Sequence, residues 1–127
     1  MSSSRSDVDA TRKMQEALDL VFGALANRHR REIVHLVALQ PYSISRLAER
    51  RSLSLPAIHK HITVLERAGL IQRRKIGRTT FVALKRTSLR GLQDWVGQYH
   101  AYWGTDDETL ENYEPFLTTN PSKEEER

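Results

Sequence analysis

The chain has 127 residues, 39% hydrophobic and 28% charged, which allows one modest core in a well-solvated shell and excludes two full domains. Cysteine is absent, so disulfides, thiolate metal sites and a cysteine nucleophile are excluded. No apolar run approaches the ~18 residues of a membrane helix, and the opening Met-Ser-Ser-Ser-Arg-Ser-Asp-Val-Asp lacks the apolar stretch of a secretory signal. A soluble, cytoplasmic protein is expected.

The net charge of +4 conceals an asymmetry. From Arg28 to Arg90 there are 15 Lys and Arg against Glu32, Glu49 and Glu66, a balance of +12. From Asp106 to Arg127 eight acids face Lys123 and Arg127, a balance of −6. A basic centre with an acidic end fits a polyanionic partner for the centre.

Residues 1–7 are Ser-rich and expected to be disordered. Val8, Met14, Ala17, Leu18, Val21, Phe22 and Leu25 recur at threes and fours, predicting a helix over about 8–24 with Asp7 and Asp9 at its start. Asn27 is a suitable N-cap for a second helix, on which Ile33, Val34, Leu36, Val37 and Leu39 face inward until Pro41 ends it. Ser43 can cap a short third helix over Ile44 to Arg50, with Ile44, Leu47 and Ala48 toward the core. Arg51-Ser52-Leu53 reads as a turn. Ser54 then caps a fourth helix from Leu55 to Ala68, with Pro56 in the first turn and Gly69 as the left-handed residue that ends it.

Two β-leaning runs, Leu70 to Ile76 and Thr79 to Leu84, flank Gly77-Arg78 and predict a hairpin. A fifth helix over about Ser88 to Trp103 carries Leu89, Leu92, Trp95, Val96, Tyr99 and Trp103. Leu110, Tyr113, Phe116 and Leu117 suggest a helical extension at 105–117, before a loose acidic tail at 118–127. The folded domain is expected at 8–104. The expected class is mostly α with a small β-hairpin wing, in the order α-α-α-α-β-β-α(-α).

Two short helices joined by a tight turn and followed by a hairpin, all in the basic stretch, describe a winged helix-turn-helix. At 100° per residue, Leu55, Ile58, Ile62 and Leu65 share one face of the fourth helix, and Pro56, His59, Lys60, Thr63 and Arg67 the other. One apolar stripe opposite a face of donors and cations suits the major groove of double-stranded DNA, which admits a helix. In the hairpin Arg73, Arg74, Lys75 and Arg78 put four cations on six residues. An arginine at the tip, Arg78, can enter a narrow minor groove while its neighbours hold phosphates. Lys60, Thr63 and His59 are expected at bases or nearby phosphates; Ser43, Ser45, Ser54 and Arg67 are expected to position the backbone.

The stretch Val21-Phe22-Gly23-Ala24-Leu25-Ala26-Asn27-Arg28-His29-Arg30 resembles the opening of the ArsR (arsenic-repressor) family of transcriptional regulators, with Arg30 at the family's arginine. His61-Ile62-Thr63-Val64-Leu65-Glu66-Arg67-Ala68-Gly69-Leu70-Ile71 resembles the end of its recognition helix, and Gly77-Arg78 its wing. The likeness covers residues 15–103. It implies a homodimeric winged helix on a palindromic operator, usually repressing, with the first and fifth helices at the dimer interface. That assigns Leu18, Val21, Phe22, Leu92, Trp95, Val96, Tyr99 and Trp103 to the contact with a second copy.

Three departures limit what the likeness carries over. Where the family often has Gln-Ser-x-x-Ser, this chain has Leu55-Pro56-Ala57-Ile58-His59, so no operator sequence follows. The cysteines of the family's arsenic sensors are missing. The Asp-x-His of its zinc sensors is replaced by Asp94-Trp95-Val96, which leaves His100 alone. No metal and no cofactor is expected.

Within one helix no two histidines stand at the four-residue spacing that chelates a metal; His59 and His61 diverge, as do His29 and His35. No phosphate-cradling Gly loop, no Gly-x-Ser-x-Gly and few central acids are present, so no enzyme is expected. Membrane attachment would need a basic helix with a broad exposed apolar face, and here the stripe is needed for the core. Unpaired RNA would need clustered sheet aromatics, and the hairpin has Phe81 alone. The rings of the fifth helix could instead line a pocket for a small-molecule effector. A winged-helix module that binds a protein partner through its aromatic C-terminal helices is the alternative from another class.

Overall fold

The computed structural model describes residues 2–102 and 114–115. The expected helical extension at 105–117, the tail at 118–127 and Trp103 therefore fall outside the described residues, apart from Glu114 and Pro115, which are helical. Chain order is α1 (Ser2–Leu25), α2 (Arg28–Leu39), β1 (Tyr42–Ser43), α3 (Ile44–Arg51), α4 (Leu55–Arg67), β2 (Ile71–Ile76), β3 (Thr79–Leu84) and α5 (Thr87–Tyr102). Two compact units divide it, Met1–Leu92 and Gln93–Arg127.

Helix α1 starts at Ser2, not near residue 8, and takes in the Ser-rich stretch expected to be disordered. Every side chain from Ser4 to Ala17 is exposed, so packing does not hold that extension. Burial of Leu18, Val21 and Ala24 anchors the last turns, and from an anchored nucleus each added residue gains a backbone hydrogen bond. Asp7 does not cap the helix; its carbonyl accepts from the Thr11 hydroxyl one turn on, at 2.9 Å.

The caps of α2, α3 and α4 are those expected. Asn27 accepts from the Arg30 amide, Ser43 from that of Arg46 and Ser54 from that of Ala57. Both left-handed exits are closed by paired backbone bonds of the Schellman type. After α3, Ser52 stands at φ 55°, the Ser52 amide donates to the Glu49 carbonyl at 3.1 Å and that of Leu53 to Ala48 at 2.9 Å. After α4, Gly69 stands at φ 76° with the equivalent bonds from Gly69 to Glu66 and from Leu70 to Leu65, both 3.0 Å. A Cβ on Gly69 would also lie 2.7 Å from the Ser88 hydroxyl, which donates to the Ala68 carbonyl. Glycine is required there twice over.

Strands β2 and β3 are antiparallel through six residue pairs, from Ile71 opposite Leu84 to Ile76 opposite Thr79. Gly77 has φ 64° and Arg78 no positive φ, the pattern of a two-residue type II′ turn. A strand that periodicity does not reveal, β1, adds to the other edge of β3 with Tyr42 opposite Val82, giving the order β1-β3-β2. Fold class is otherwise as expected: among residues 2–102, five helices and a small antiparallel sheet, a winged helix-turn-helix.

The core of the first unit gathers Ile33, Leu47, Ile58, Ile62, Leu65, Leu70 and Val82, all fully buried, with Val21, Ala24 and Tyr42 around them. Two expected core residues are exposed instead. Leu39 is 74% accessible and Leu55 50%. Leu55, the first residue of α4, has the phase of the stripe but lies at the helix end, whereas Leu39, the last of α2, is turned about 110° from the buried Ile33, Leu36 and Val37.

Candidate nucleic-acid interface

Helix α4 packs through Ile58, Ile62 and Leu65 against α1, α2 and α3, which leaves its other side to solvent. Pro56, His59, Lys60 and Arg67 are exposed there, as the phase of the sequence predicts. At the start of α3, Ser45 is exposed and Ser43 half-buried; Ser54 opens α4 in the exposed class. The Ser43 and Ser54 hydroxyls use a lone pair in capping, at 3.2 and 3.3 Å, which keeps each O–H proton available to a phosphate oxygen. On the wing Arg74, Lys75 and Arg78 are exposed.

Thr63 and Arg73, both expected at the DNA, are joined to each other within the chain. Arg73 lies on the core-facing side of β2, opposite the fully buried Val82. Its Nη2 donates to Thr63 Oγ1 at 2.9 Å and its Nε to Glu66 Oε1 at 3.1 Å. Both side chains are engaged within the chain. The pleat decides this: neighbouring strand residues point to opposite faces, so Arg73 turns toward α4 and Arg74 away from it.

Arg46 is the residue that sequence reasoning missed. Its guanidinium sits 5.4 Å from the centroid of the Tyr42 ring, which orders a long cation beside the N-terminus of α3. The four-residue spacing of Tyr42 and Arg46 was the available signal, and the unforeseen strand β1 concealed it.

Other cations are drawn into the fold. Arg30 donates from Nε to the Ala24 carbonyl at 2.6 Å, from Nη2 to Gly23 at 3.3 Å and from Nη1 to His61 Nδ1 at 3.3 Å. Arg31 donates to the Leu25 carbonyl at 2.8 Å. The Ala24 and Leu25 carbonyls end α1 without intrahelical partners, and the guanidinium groups satisfy them with charge of the favourable sign, while the Gly23 carbonyl also accepts from the Ala26 amide at 3.4 Å. Arg51 donates to His29 Nδ1 at 3.2 Å, and the His29 and His61 rings lie 5.6 Å apart. Because arginine only donates, both imidazoles accept at Nδ1. Burial, then Arg30, then His29 hold the pKa of His61 below its ordinary value. His61 is thus half-buried and hydrogen-bonded at the edge of the stripe, while His59 faces solvent.

The residues assigned to a second copy divide. Leu18 and Val21 are buried within the single chain, Val21 in the core cluster. They hold α1 in place and are not offered outward. Phe22 is 41% accessible, and Leu20, which was not singled out, 54%. Leu92 packs against the core of the first unit. In the second unit Val96 and Tyr99 are exposed, and Trp95 meets Tyr99 edge to face at 5.0 Å between centroids. Among the described residues no three His, Asp or Glu side chains are grouped to hold a metal ion, and no helix is long and apolar enough to cross a membrane.

A capped two-helix unit with a left-handed turn, followed by a two-residue hairpin, defines a winged helix-turn-helix protein. Residues 25–74 match the family model described as a helix-turn-helix domain. An ArsR family transcriptional regulator of known structure is 30% identical; the match covers 70% of this chain and 92% of that one, with a TM-score of 0.65. The chain belongs to the ArsR family of transcriptional regulators, which are not enzymes. It is also similar to the transcriptional activator HlyU of Vibrio cholerae serotype O1, 32% identical over 69 residues, which are 54% of this chain and 64% of HlyU. The chain thus matches a little under two thirds of the length of that relative. The homodimeric winged helix-turn-helix DNA-binding domain of Mycobacterium bovis shares the fold, with a TM-score of 0.60 at 20% identity over 84% of this chain and 93% of that one.

Proposed function

We propose that this regulator binds double-stranded DNA as a homodimer on a palindromic operator, with α4 in the major groove and the wing at the minor groove. The observation that carries the reading is the division of α4, whose Ile58, Ile62 and Leu65 are fully buried while Pro56, His59, Lys60 and Arg67 stand exposed beside the free cations of the wing. Lys60 and His59 read base edges. Ser43, Ser45, Arg46, Ser54 and Arg67 fix the phosphate backbone, and Arg74 and Lys75 do the same from the wing. Arg78, on the tight Gly77-Arg78 turn, enters the minor groove.

A single module makes few phosphate contacts, whereas two copies reach half-sites about one helical turn apart on one face of the duplex. The exposed Leu20 and Phe22 of α1, and Val96 and Tyr99 of α5, supply apolar surface for the second copy. The Mycobacterium bovis domain of the same fold is homodimeric. Occlusion of a promoter makes repression the default outcome; the similar HlyU of Vibrio cholerae is a transcriptional activator.

Footprinting on the DNA upstream of its own coding sequence, over a salt series, tests the reading. A protected site with two-fold symmetry and a steep salt dependence is expected. Protection without symmetry, or none at any salt concentration, would remove the proposal.

A further inference from the structure

We propose that Arg73 is a positioning residue that sets the angle of the wing against the recognition helix, and that its charge takes no part in holding phosphate. The inference rests on the DNA reading above. The guanidinium grips two side chains three residues apart on α4, Thr63 at 2.9 Å and Glu66 at 3.1 Å. Residues at that spacing are neighbours on one helix face, so one rigid planar group spans a turn of the helix at two points and admits little rotation. The pair is partly withdrawn from water, with side-chain accessibilities of 29% for Arg73 and 40% for Glu66.

The bracket also accounts for Glu66. A carboxylate on a helix meant for a polyanion repels it unless a cation neutralises it. Glu66 is one of only three acids between Arg28 and Arg90, and it is the one that lies on α4.

Leverage gives the bracket its consequence. Beyond Arg73 the hairpin is held by register from Val82 to Thr79 and closed by a two-residue turn, so it moves as one piece. The Gly77-Arg78 turn lies three strand residues and the reversal beyond Arg73, about 13 Å. A tilt of about 15° at Arg73 therefore carries the tip by ~3 Å, half the width of a minor groove ~6 Å wide.

The test uses the full chain and a labelled 30-base-pair duplex of mixed sequence, with binding read by anisotropy over a salt series. Arg73→Lys keeps the charge but cannot form both contacts; it should weaken binding several-fold, as Arg73→Met does, and lower the slope of log K against log salt by about one, because the displaced Arg78 leaves the groove. Arg74→Gln, which removes a phosphate contact, should lower that slope by about one. In the Arg73→Lys background, Arg78→Ala should lose most of its effect, because the tip is already displaced. Wild-type binding or an unaltered slope in Arg73→Lys, or additive effects of Arg73→Lys and Arg78→Ala, would each overturn the proposal alone. If the unaltered chain shows no salt-dependent binding, the DNA reading falls, and this inference with it. Arg73→Lys keeps the comparison valid should Arg73→Met fail to fold.

Discussion

Arginines of the same sequence stretch do opposite things in two regions of the molecule. Around the end of α1, Arg30, Arg31 and Arg51 turn inward to backbone carbonyls and imidazoles, and none of these contacts involves a carboxylate. On α4 and the wing, Arg67, Arg74 and Arg78 extend into solvent with Lys60 and Lys75. The first set closes a helix end; the second is available to a partner. Local charge density is the same for both, so a basic stretch counts candidate phosphate ligands from above. What separates them is whether an unsatisfied acceptor of the chain itself lies within reach.

The largest effect is expected where that division is broken from the inside. Arg30→Met removes a charged donor from the carbonyl of the buried Ala24 and from His61 together. Hydrogen bonds to charged groups contribute about 1.5–3 kcal/mol, so unfolding stability should fall by about 2–3 kcal/mol, read by urea denaturation. The salt slope of DNA binding at a temperature where the variant is folded should stay that of the wild type. A slope lowered by one would return Arg30 to the outer set.

Next come the groups proposed to read bases. Lys60→Ala and His59→Ala should each reduce discrimination between the footprinted operator and random duplex by about 1–3 kcal/mol, measured by competition binding. Equal loss on both duplexes would reassign them to phosphate. Smaller again is Arg78→Ala, which should lower the salt slope by about one while leaving thermal stability within about 0.5 kcal/mol of the wild type. A destabilised variant with an unchanged slope would make Arg78 a structural residue of the turn and erase the contrast at the wing.

Much of this architecture is legible in the sequence, for reasons that can be named. Asn27, Ser43, Ser54 and Gly69 mark helix ends because capping is a local matter of one side chain or one φ angle. Ile58, Ile62 and Leu65 are found by period alone. Period cannot tell where a neighbouring helix stops, hence the error at Leu55, which keeps the phase and is exposed at the helix end; Leu39 is an error of phase, about 110° from the buried stripe of α2. A two-residue strand such as β1 has no period, and its partner β3 lies far along the chain. For the site, exposure of His59, Lys60 and Arg67 follows from the same helical phase. The retreat of Arg73 to Thr63 and Glu66 does not, because it depends on which face of β2 the register turns to α4, and that is a tertiary fact.

The smallest effect tests whether the inner region depends on neutral imidazoles. His61 is half-buried beside Arg30, with His29 against its ring and Arg51 bonded to His29. Burial first, then Arg30, then the adjacent His29 ring disfavour its protonated form, so the folded-state pKa lies below the ordinary 6.5. In the unfolded chain the imidazole takes up its proton near that ordinary value. Between the two values the unfolded state binds more protons than the folded one, so stability rises with pH across the window. The contribution of His61 is therefore complete above about pH 6.5 and declines as pH falls through that point toward the folded-state pKa. Protonation there also removes the Nδ1 lone pair that accepts from Arg30, so the loss falls on the junction of α1 with α4. Urea denaturation at a series of pH values from 7.5 down to about 5 should show this decline in the wild type and a flatter profile in His61→Gln. An equally steep decline in that variant would place the sensitivity elsewhere, on His29 or among the acids, and would leave the inner arginines indifferent to the charge of the ring they hold.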